Sequence, residues 1–528
     1  MTRAETHRQA GRVVAWIRSH ASGAGHLRID SRETVPGDVF LALPGRRDDG
    51  RRYVADAVAR GAAAVVAEHQ GSDPPPCGVP MLPVENLVPM LGEIGAIFYR
   101  EPTAQLLMIG VTGTNGKTSC SHWIAQVLSA CGRRCAVIGT VGSGFTDALL
   151  ADASLTTPDA IGLQRQARAL ADAGAQALAM EVSSIGLDQG RADAIEFDLA
   201  LFTNLTRDHL DYHGSMAEYE RAKARLFEVP SLAHAVLNLD DAFGRQLAQR
   251  CRARALRTTG YRVQPGTQPG TDDTPVDVSL IGASLALGAG DIRLDARLRR
   301  AGASEHTVPV QAPVLGRFNV SNVLGVLGIA LAAGIDAGDA ARAMQGLRPP
   351  PGRLQRVEIE AGSPGAATAD LPLVLIDYAH TPDAIEQALA ALRPVAQARS
   401  GRLWIVFGAG GDRDPGKRPQ MGAAAVHGAD QVVVTSDNPR SEVPGRIISQ
   451  ILAGAGDAGT RLSHVEDRTL AIGHAVAQAD AADVVLIAGK GHEQYQEMAG
   501  RRLAFSDLQC ARQALQRRAE GARAGASR

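Results

Sequence analysis

The sequence predicts an α/β protein of three domains: an N-terminal α/β domain, a central phosphate-loop-type domain with a mainly parallel sheet, and a C-terminal Rossmann-like, doubly wound domain. Three observations predict it. A glycine-rich loop lies between a strand pattern and a helix pattern near residue 113, the last third of the chain alternates strand and helix, and prolines mark two junctions, Glu101-Pro102 and Pro349-Pro-Pro-Gly-Arg353. The junctions set the domains at 1–102, 103–346 and 347–528. A chain of 528 residues is too long for one ordinary domain.

The first domain is read from Asp30-Ser31-Arg32, the apolar run within Pro36 to Leu43, and a helix followed by a strand over Ala55 to Ala67.

The second opens on Leu106 to Val111, a buried strand, followed by Gly113-Thr114-Asn115-Gly116-Lys117-Thr118-Ser119. Gly113 and Gly116 permit a turn that a side chain would block. Cys120, Trp123, Ile124, Val127, Leu128 and Cys131 then recur at the spacing of a helix packed on a core, and Gly132 stops it. Strand, loop and helix start together aim backbone N–H groups at an anion. In such loops the lysine, here Lys117, reaches the outer phosphates and the hydroxyl residue, here Thr118, holds magnesium. The common pattern has glycine where this chain has Val111, so the loop is a variant. Further on, Gly260 to Asp277 is rich in Gly, Pro, Thr and Asp and reads as a surface excursion.

The third domain places strands at Leu373 to Ile376, Leu403 to Phe407, Gln431 to Thr435 and Asp483 to Ala488. Each runs into a polar or glycine-rich loop: Asp377 to His380, Gly408 to Asp414, Ser436 to Arg440, and Gly489 to Glu493. Ligands of open α/β sheets bind at the carboxyl ends of strands, so these four loops are candidate site loops. The Ala/Arg-rich tail after Arg512 is expected to end in disorder.

Composition narrows the function. A net charge of −1 gives no reason to expect nucleic acid or an anionic membrane as partner. The six cysteines are scattered without zinc spacing, as expected of reduced thiols. Charges at Arg3, Glu5 and Arg8 interrupt any secretory signal, and no apolar run reaches the length of a membrane span. A cytoplasmic protein without membrane insertion is expected.

Two stretches of the second domain add charged groups after strand patterns. Ala177 to Met180 leads to Glu181, and Leu199 to Phe202 leads to a segment carrying His209 and two aspartates. A carboxylate at a strand end beside a phosphate loop suits magnesium. Taken singly, Glu181 could equally cap a helix and His209 could be an ordinary surface histidine. Lys223 sits on a helical pattern, and composition alone makes it a solvent-exposed lysine.

In order and spacing, these motifs resemble the Mur ligases nearly end to end, from Asp30-Ser31-Arg32 to Gly489-Lys490-Gly491-His492-Glu493. The variant loop is that family's form. The resemblance implies an ATP-dependent amide ligase of cytoplasmic peptidoglycan synthesis. It would add meso-diaminopimelate to a UDP-N-acetylmuramoyl-dipeptide, L-alanyl-D-glutamate, and work as a monomer. By the same resemblance Ile29, Ser31, Arg46, Arg47, Asp48, Thr156, Thr157, Ser183, Gln189 and Arg191 match holders of the UDP-substrate. Thr118, Glu181, His209 and Lys223 match metal ligands, the lysine as a carbamate formed with carbon dioxide. Asn319, Asn322, Arg353, Asp377 and His380 match ATP contacts alongside the loop 113–119. Arg413, Asp437, Asn438, Pro439, Arg440, Gly489 and Glu493 match the amino-acid pocket.

Meso-diaminopimelate differs from lysine by a second carboxylate at its far end. A guanidinium pairs with a planar carboxylate through two charge-assisted hydrogen bonds, so Arg440 favours the diacid. Lysine-adding relatives usually lack the Asp-Asn-Pro-Arg form. The rivals are that lysine-adding version, a folylpolyglutamate-synthetase-like ligase, disfavoured by the Asp30-Ser31-Arg32 unit, and an ATP-driven switch without a ligated product. Arg440 could also serve only as a loop salt bridge.

Overall fold

A computed structural model describes residues 2–21, 23, 25–45, 49–69, 77–150, 155–263, 274–288, 290–359, 371–456 and 459–526. The chain falls into two compact units, one comprising 1–281, 297–306 and 324–343, the other 282–296, 307–323 and 344–528.

The first unit begins with the helix Arg3–His20, whose start is a capping box between Thr2 and Glu5. Ala10, Val13, Val14 and Ile17 recur along one face and are buried. That face covers a four-stranded parallel sheet running Leu27–Arg28, Val39–Ala42, Ala64–Glu68 and Met81–Val84 in chain order. The helix Leu91–Phe98 closes this part. A Cβ on its Gly92 would stand 2.8 Å from the Ala194 methyl, so glycine here lets the helix pack tightly on the next layer.

The second sheet of this unit positions the phosphate loop. Six parallel strands lie in the order Arg257–Val263, His234–Asn238, Leu199–Phe202, Leu107–Thr112, Ala177–Glu181, Cys135–Gly139. Gly142–Phe145 and Ala148–Leu150 follow as antiparallel strands. Apart from half-buried Leu107, the central strands are buried along their length, as a sheet covered on both faces requires. Register sets Val111 beside Glu181 and Leu201, and Thr112 beside Phe202. Val111 is therefore a core strand residue, fully buried, which explains an apolar side chain where common phosphate loops have already turned.

In the second unit a six-stranded sheet runs Gln355–Arg356, Leu373–Asp377, Val484–Ala488, Leu403–Phe407, Gln431–Val434, Leu462–His464. Only the first pairing is antiparallel. Separate apolar clusters cover its two faces, so the doubly wound arrangement predicted from strand–helix alternation is present.

Two expectations need correction. Residues 260–263 are not part of a loop but extend the strand Arg257–Val263, because Tyr261 is fully buried and its hydroxyl donates to the Phe202 carbonyl at 3.0 Å. Of the rest of that excursion, 264–273 lie outside the described residues. The tail after Arg512 is not disordered through its described length: it belongs to the helix Asp507–Ala526. Alanine and arginine are among the strongest helix formers, and Ala511 and Leu515 anchor the helix on the sheet.

Candidate active site

The loop after Leu107–Thr112 turns sharply enough to need glycine. Gly113 has φ +151° and a Cβ there would collide with the Thr203 hydroxyl, while Gly116, at φ +86°, starts the helix Lys117–Ala130. Asn204 braces the turn, its Oδ1 accepting from the Asn115 N–H at 2.9 Å and its Nδ2 donating to the Asn115 carbonyl at 3.1 Å. Lys117 folds over the loop and donates to the carbonyls of Gly113 and Thr114, each at 2.8 Å.

Beside the loop, Thr118 donates to Glu181 Oε2 at 3.0 Å. Thr140 reaches the same carboxylate twice, its N–H on Oε1 at 2.8 Å and its hydroxyl on Oε2 at 3.0 Å. A Cβ on Gly139 would collide with Glu181 Oε1, so that glycine leaves room for the carboxylate. Lys223 is buried, 1% exposed, which overturns the solvent-exposed position composition suggests. Its Nζ donates to the Gly113 carbonyl at 2.8 Å and stands 4.5 Å from the Tyr219 ring centroid. Burial, and then the charge of Lys117, pull the Lys223 amine far below the ordinary lysine range, with Asp208 opposing. His209 lies at φ +52° with its ring 6.2 Å from that of Tyr219, whose hydroxyl is 3.1 Å from Thr114 Oγ1.

The predicted substrate residues of this unit also converge. Thr157 Oγ1 lies 3.1 Å from Ser183 Oγ, Arg191 donates to the Thr157 carbonyl at 2.8 Å, and Gln189 Oε1 accepts from Arg191 Nε at 3.0 Å. Thr156 Oγ1 stands 3.1 Å from Thr140 Oγ1, which joins this group to the Glu181 cluster. Ser31 is buried at the start of a turn capped by Asp30, next to half-buried Ile29. Arg46, Arg47 and Asp48 lie outside the described residues.

In the second unit, Asn322 donates to Asn319 Oδ1 at 2.8 Å and Asn319 to the Leu315 carbonyl at 2.7 Å, both residues buried. Asp377 accepts the N–H groups of Leu354 and Ala379 at 2.7 and 2.8 Å. Burial raises its carboxyl above the ordinary range, with Arg353 opposing. Arg353 stacks 4.7 Å over the Tyr378 ring, which also packs on His380.

Three of the third-domain loops meet. Gly411 donates to the Asn438 carbonyl at 2.9 Å, and Arg440 donates to the Gly411 carbonyl at 2.7 Å. A Cβ on Gly410 would stand 2.9 Å from Arg440 Nη1 and 3.8 Å from Arg413 Cγ, so the two arginines flank one glycine. Asn438 donates to Glu493 Oε2 at 2.8 Å, and a Cβ on Gly489 would collide with Asp437 Oδ2. Arg440 also makes a 3.5 Å ion pair with Glu497.

Models for the Mur ligase family catalytic domain, the Mur ligase middle domain and the Mur ligase glutamate ligase domain match residues 25–99, 111–330 and 352–491. The chain is 48% identical over 515 residues to a UDP-N-acetylmuramoyl-L-alanyl-D-glutamate–2,6-diaminopimelate ligase of Ralstonia nicotianae, covering 95% of each chain. It belongs to the Mur ligase family. The Pseudomonas aeruginosa protein of the same name is 47% identical over 492 residues, covering 93% of this chain and 94% of its own. A solved structure of a ligase of that name superposes with a TM-score of 0.62 at 36% identity, covering 94% and 95% of the two chains.

In this Mur ligase several site-forming residues escaped the sequence reading. Thr140 holds Glu181 from outside any motif, and Asn204 braces the phosphate loop from the segment after Phe202, where the sequence points only to His209 and its aspartates. Lys490 is fully buried and donates to Asn438 Oδ1 at 3.0 Å and Glu493 Oε2 at 2.8 Å. Its place inside Gly489 to Glu493 was the available signal.

Proposed function

We propose that this protein joins meso-diaminopimelate to UDP-N-acetylmuramoyl-L-alanyl-D-glutamate at the expense of ATP, an amide-forming step of peptidoglycan precursor synthesis. The observation that carries the reading is the approach of both the Arg413 and Arg440 side chains to Gly410 in a chain that also has the phosphate loop and buried Lys223. Two guanidinium groups suit the second carboxylate that separates this amino acid from lysine. The working domains are 1–102, 103–346 and 347–528. No described helix is long and apolar enough to cross a membrane. Within this proposal the protein works in the cytoplasm as a monomer, without membrane insertion.

An amide does not form from a carboxylate in water without a leaving group. An oxygen of the D-glutamyl γ-carboxylate attacks the γ-phosphorus of ATP, an O–P bond forms, and ADP departs. The amine of diaminopimelate then attacks the acyl carbon; the C–N bond forms, the bond to phosphate oxygen breaks, and the amine proton leaves. Gly113 to Ser119 hold the phosphates, with Lys117 offsetting charge that builds on the transferring group. Asn319, Asn322, Arg353, Asp377 and His380 complete the nucleotide contacts. Ile29, Ser31, Arg46, Arg47 and Asp48 hold the UDP end, and Thr156, Thr157, Ser183, Gln189 and Arg191 hold the dipeptide end. Arg413, Asp437, Asn438, Pro439, Arg440, Gly489 and Glu493 hold the amino acid.

Magnesium would be held by Thr118, Glu181, His209 and Lys223 as its carbamate, and would neutralise phosphate charge. The residues fit: hydroxyl and carboxylate oxygens suit a hard cation, and Thr118 and Glu181 already touch. A carbamate on Lys223 would add two further hard oxygens to those of Thr118 and Glu181. An amine held neutral is the form that attacks carbon dioxide, with an N–C bond formed and a proton released.

Phosphate release with meso-diaminopimelate against L-lysine, each with and without the UDP-dipeptide, tests the reading. Release that requires the dipeptide and the diacid supports it; equal use of lysine, or release without the dipeptide, overturns it.

A further inference from the structure

Arg418 has no part in the contacts proposed above, yet it is among the most buried charged side chains of the protein, at 1% exposure. It is the second residue of the helix Lys417–Gly428 and makes a two-pronged contact with Glu442, Nη2 to Oε1 at 2.7 Å and Nη1 to Oε2 at 2.9 Å. Nη1 also donates to Gln450 Oε1 at 2.6 Å, and Nη2 to the Gly410 carbonyl at 3.1 Å.

Two of these partners, Gly410 and Glu442, sit close in sequence to the arginines of the amino-acid pocket. Gly410 lies three residues before Arg413, and Glu442 lies two after Arg440. Glu442 Oε1 accepts the Asp412 N–H at 2.7 Å, and its own N–H donates to the Pro439 carbonyl at 3.0 Å. Outside the pair, Ser441 donates to Asp412 Oδ1 at 2.5 Å. The fit is close enough that a Cβ on Gly411 would collide with the Pro439 carbonyl oxygen. Arg440 itself is at φ +51°, a backbone state that an arginine keeps only when its surroundings impose it.

We infer that the Arg418–Glu442 pair is a positioning device for amino-acid selectivity: it locks the loop of Arg413 to the loop of Arg440 and so sets the distance between the guanidinium groups that receive the second carboxylate. The inference rests on the proposed pocket. A planar carboxylate accepts a guanidinium fork only within narrow limits of angle and distance, so a fixed spacing of the two loops decides between diacid and monoacid. The Arg418 guanidinium keeps the Glu442 carboxyl down at about 2, so the clamp stays charged throughout the physiological range.

The test is steady-state phosphate release by the full chain, with meso-diaminopimelate, ATP and the UDP-dipeptide varied in turn. Arg440→Ala reports on the pocket itself. Glu442→Gln and Arg418→Lys report on the clamp, and both should raise KM for meso-diaminopimelate by about 10-fold or more, with KM for ATP unchanged, as loss of an outer orienting partner does. Combined with Arg440→Ala, Glu442→Gln should add less than its own factor, since both act through one contact. If Arg440→Ala raises that KM and Glu442→Gln does not, or if Glu442→Gln raises all three KM values alike, the clamp inference falls. If Arg440→Ala changes nothing, the pocket reading falls first. Ser441→Ala, at an exposed position, covers the case in which the buried variants do not fold: it should raise the same KM by about 3-fold, and no rise would overturn the inference.

Discussion

Lys117 and Lys223 donate to the same carbonyl oxygen, that of Gly113, each at 2.8 Å. Burial, and then repulsion from the Lys117 ammonium on the same acceptor, pull the Lys223 amine far below the ordinary lysine range. The relationship links the helix Met216–Ala224 to the phosphate loop.

Lys223→Ala should lower turnover by at least about 100-fold, with partial rescue by short carboxylates that replace the carbamate oxygens. Phosphate release measures it, and undiminished activity would return Lys223 to a structural role. Its effect on stability has a definite sign. Below the unfolded lysine value of about 10.4 the unfolded chain binds a proton that the native amine binds only at lower pH. Native stability relative to a Lys223→Met variant therefore rises from the lowered native value up to about 10.4 and is flat above it. Thermal unfolding of both proteins across that range should show the gap changing in this direction.

Gly139→Ala should reproduce the loss of Glu181 without altering any charged group. The added methyl would collide with Glu181 Oε1 and push the carboxylate away from Thr118 and Thr140. Glu181→Gln and Gly139→Ala should both raise the magnesium concentration needed for half-maximal activity, and chelator should abolish turnover in the wild type. A Gly139→Ala enzyme with an unchanged magnesium requirement would detach Glu181 from the metal.

The phosphate loop was legible because its strand, glycines, lysine and helix form one contiguous run whose spacing carries the mechanism. The third-domain strands were legible for a similar reason, since each apolar run ends at a polar loop. Lys223 was not. Its helix carries Glu218, Glu220 and Arg221, an ordinary solvated pattern, and only the fold brings that turn under Gly113. Thr140 and Asn204 act through hydrogen bonds that no local spacing encodes. The hairpin Tyr495–Met498 with Arg501–Ala504, which brings Glu497 to Arg440, is short and largely polar, so periodicity was silent there. The tail was misread because a composition rich in alanine and arginine serves a docked helix as well as an unfolded end.

Arg440→Ala should weaken use of meso-diaminopimelate by about 2–5 kcal/mol in kcat/KM, the usual cost of unpairing a desolvated charge at an interface. L-Lysine, lacking the second carboxylate, should lose little. The Glu497 ion pair offers the alternative that Arg440 only ties its loop to the hairpin, and Glu497→Gln separates the two. If the ion pair is the whole role, Glu497→Gln and Arg440→Ala should have equal effects on both amino acids.

The C-terminal helix is attached by an ion pair that water does not reach. Arg468 Nε and Nη2 contact Asp507 Oδ1 and Oδ2, each at 2.7 Å, and both side chains are fully buried. Arg468 also donates to the Ser436 and Ala488 carbonyls at 3.3 and 2.8 Å, the backbone just before Asp437 and Gly489. Removing one partner leaves the other charge buried without compensation. Asp507→Ala should therefore cost about 3–5 kcal/mol in denaturant unfolding, far more than a change in a disordered tail. Arg468→Met with Asp507→Leu should recover much of that loss, because replacing both charges with apolar groups removes the desolvation cost on each side. If Asp507→Ala unfolds at the wild-type denaturant midpoint, the helix Asp507–Ala526 is not held against the sheet in solution.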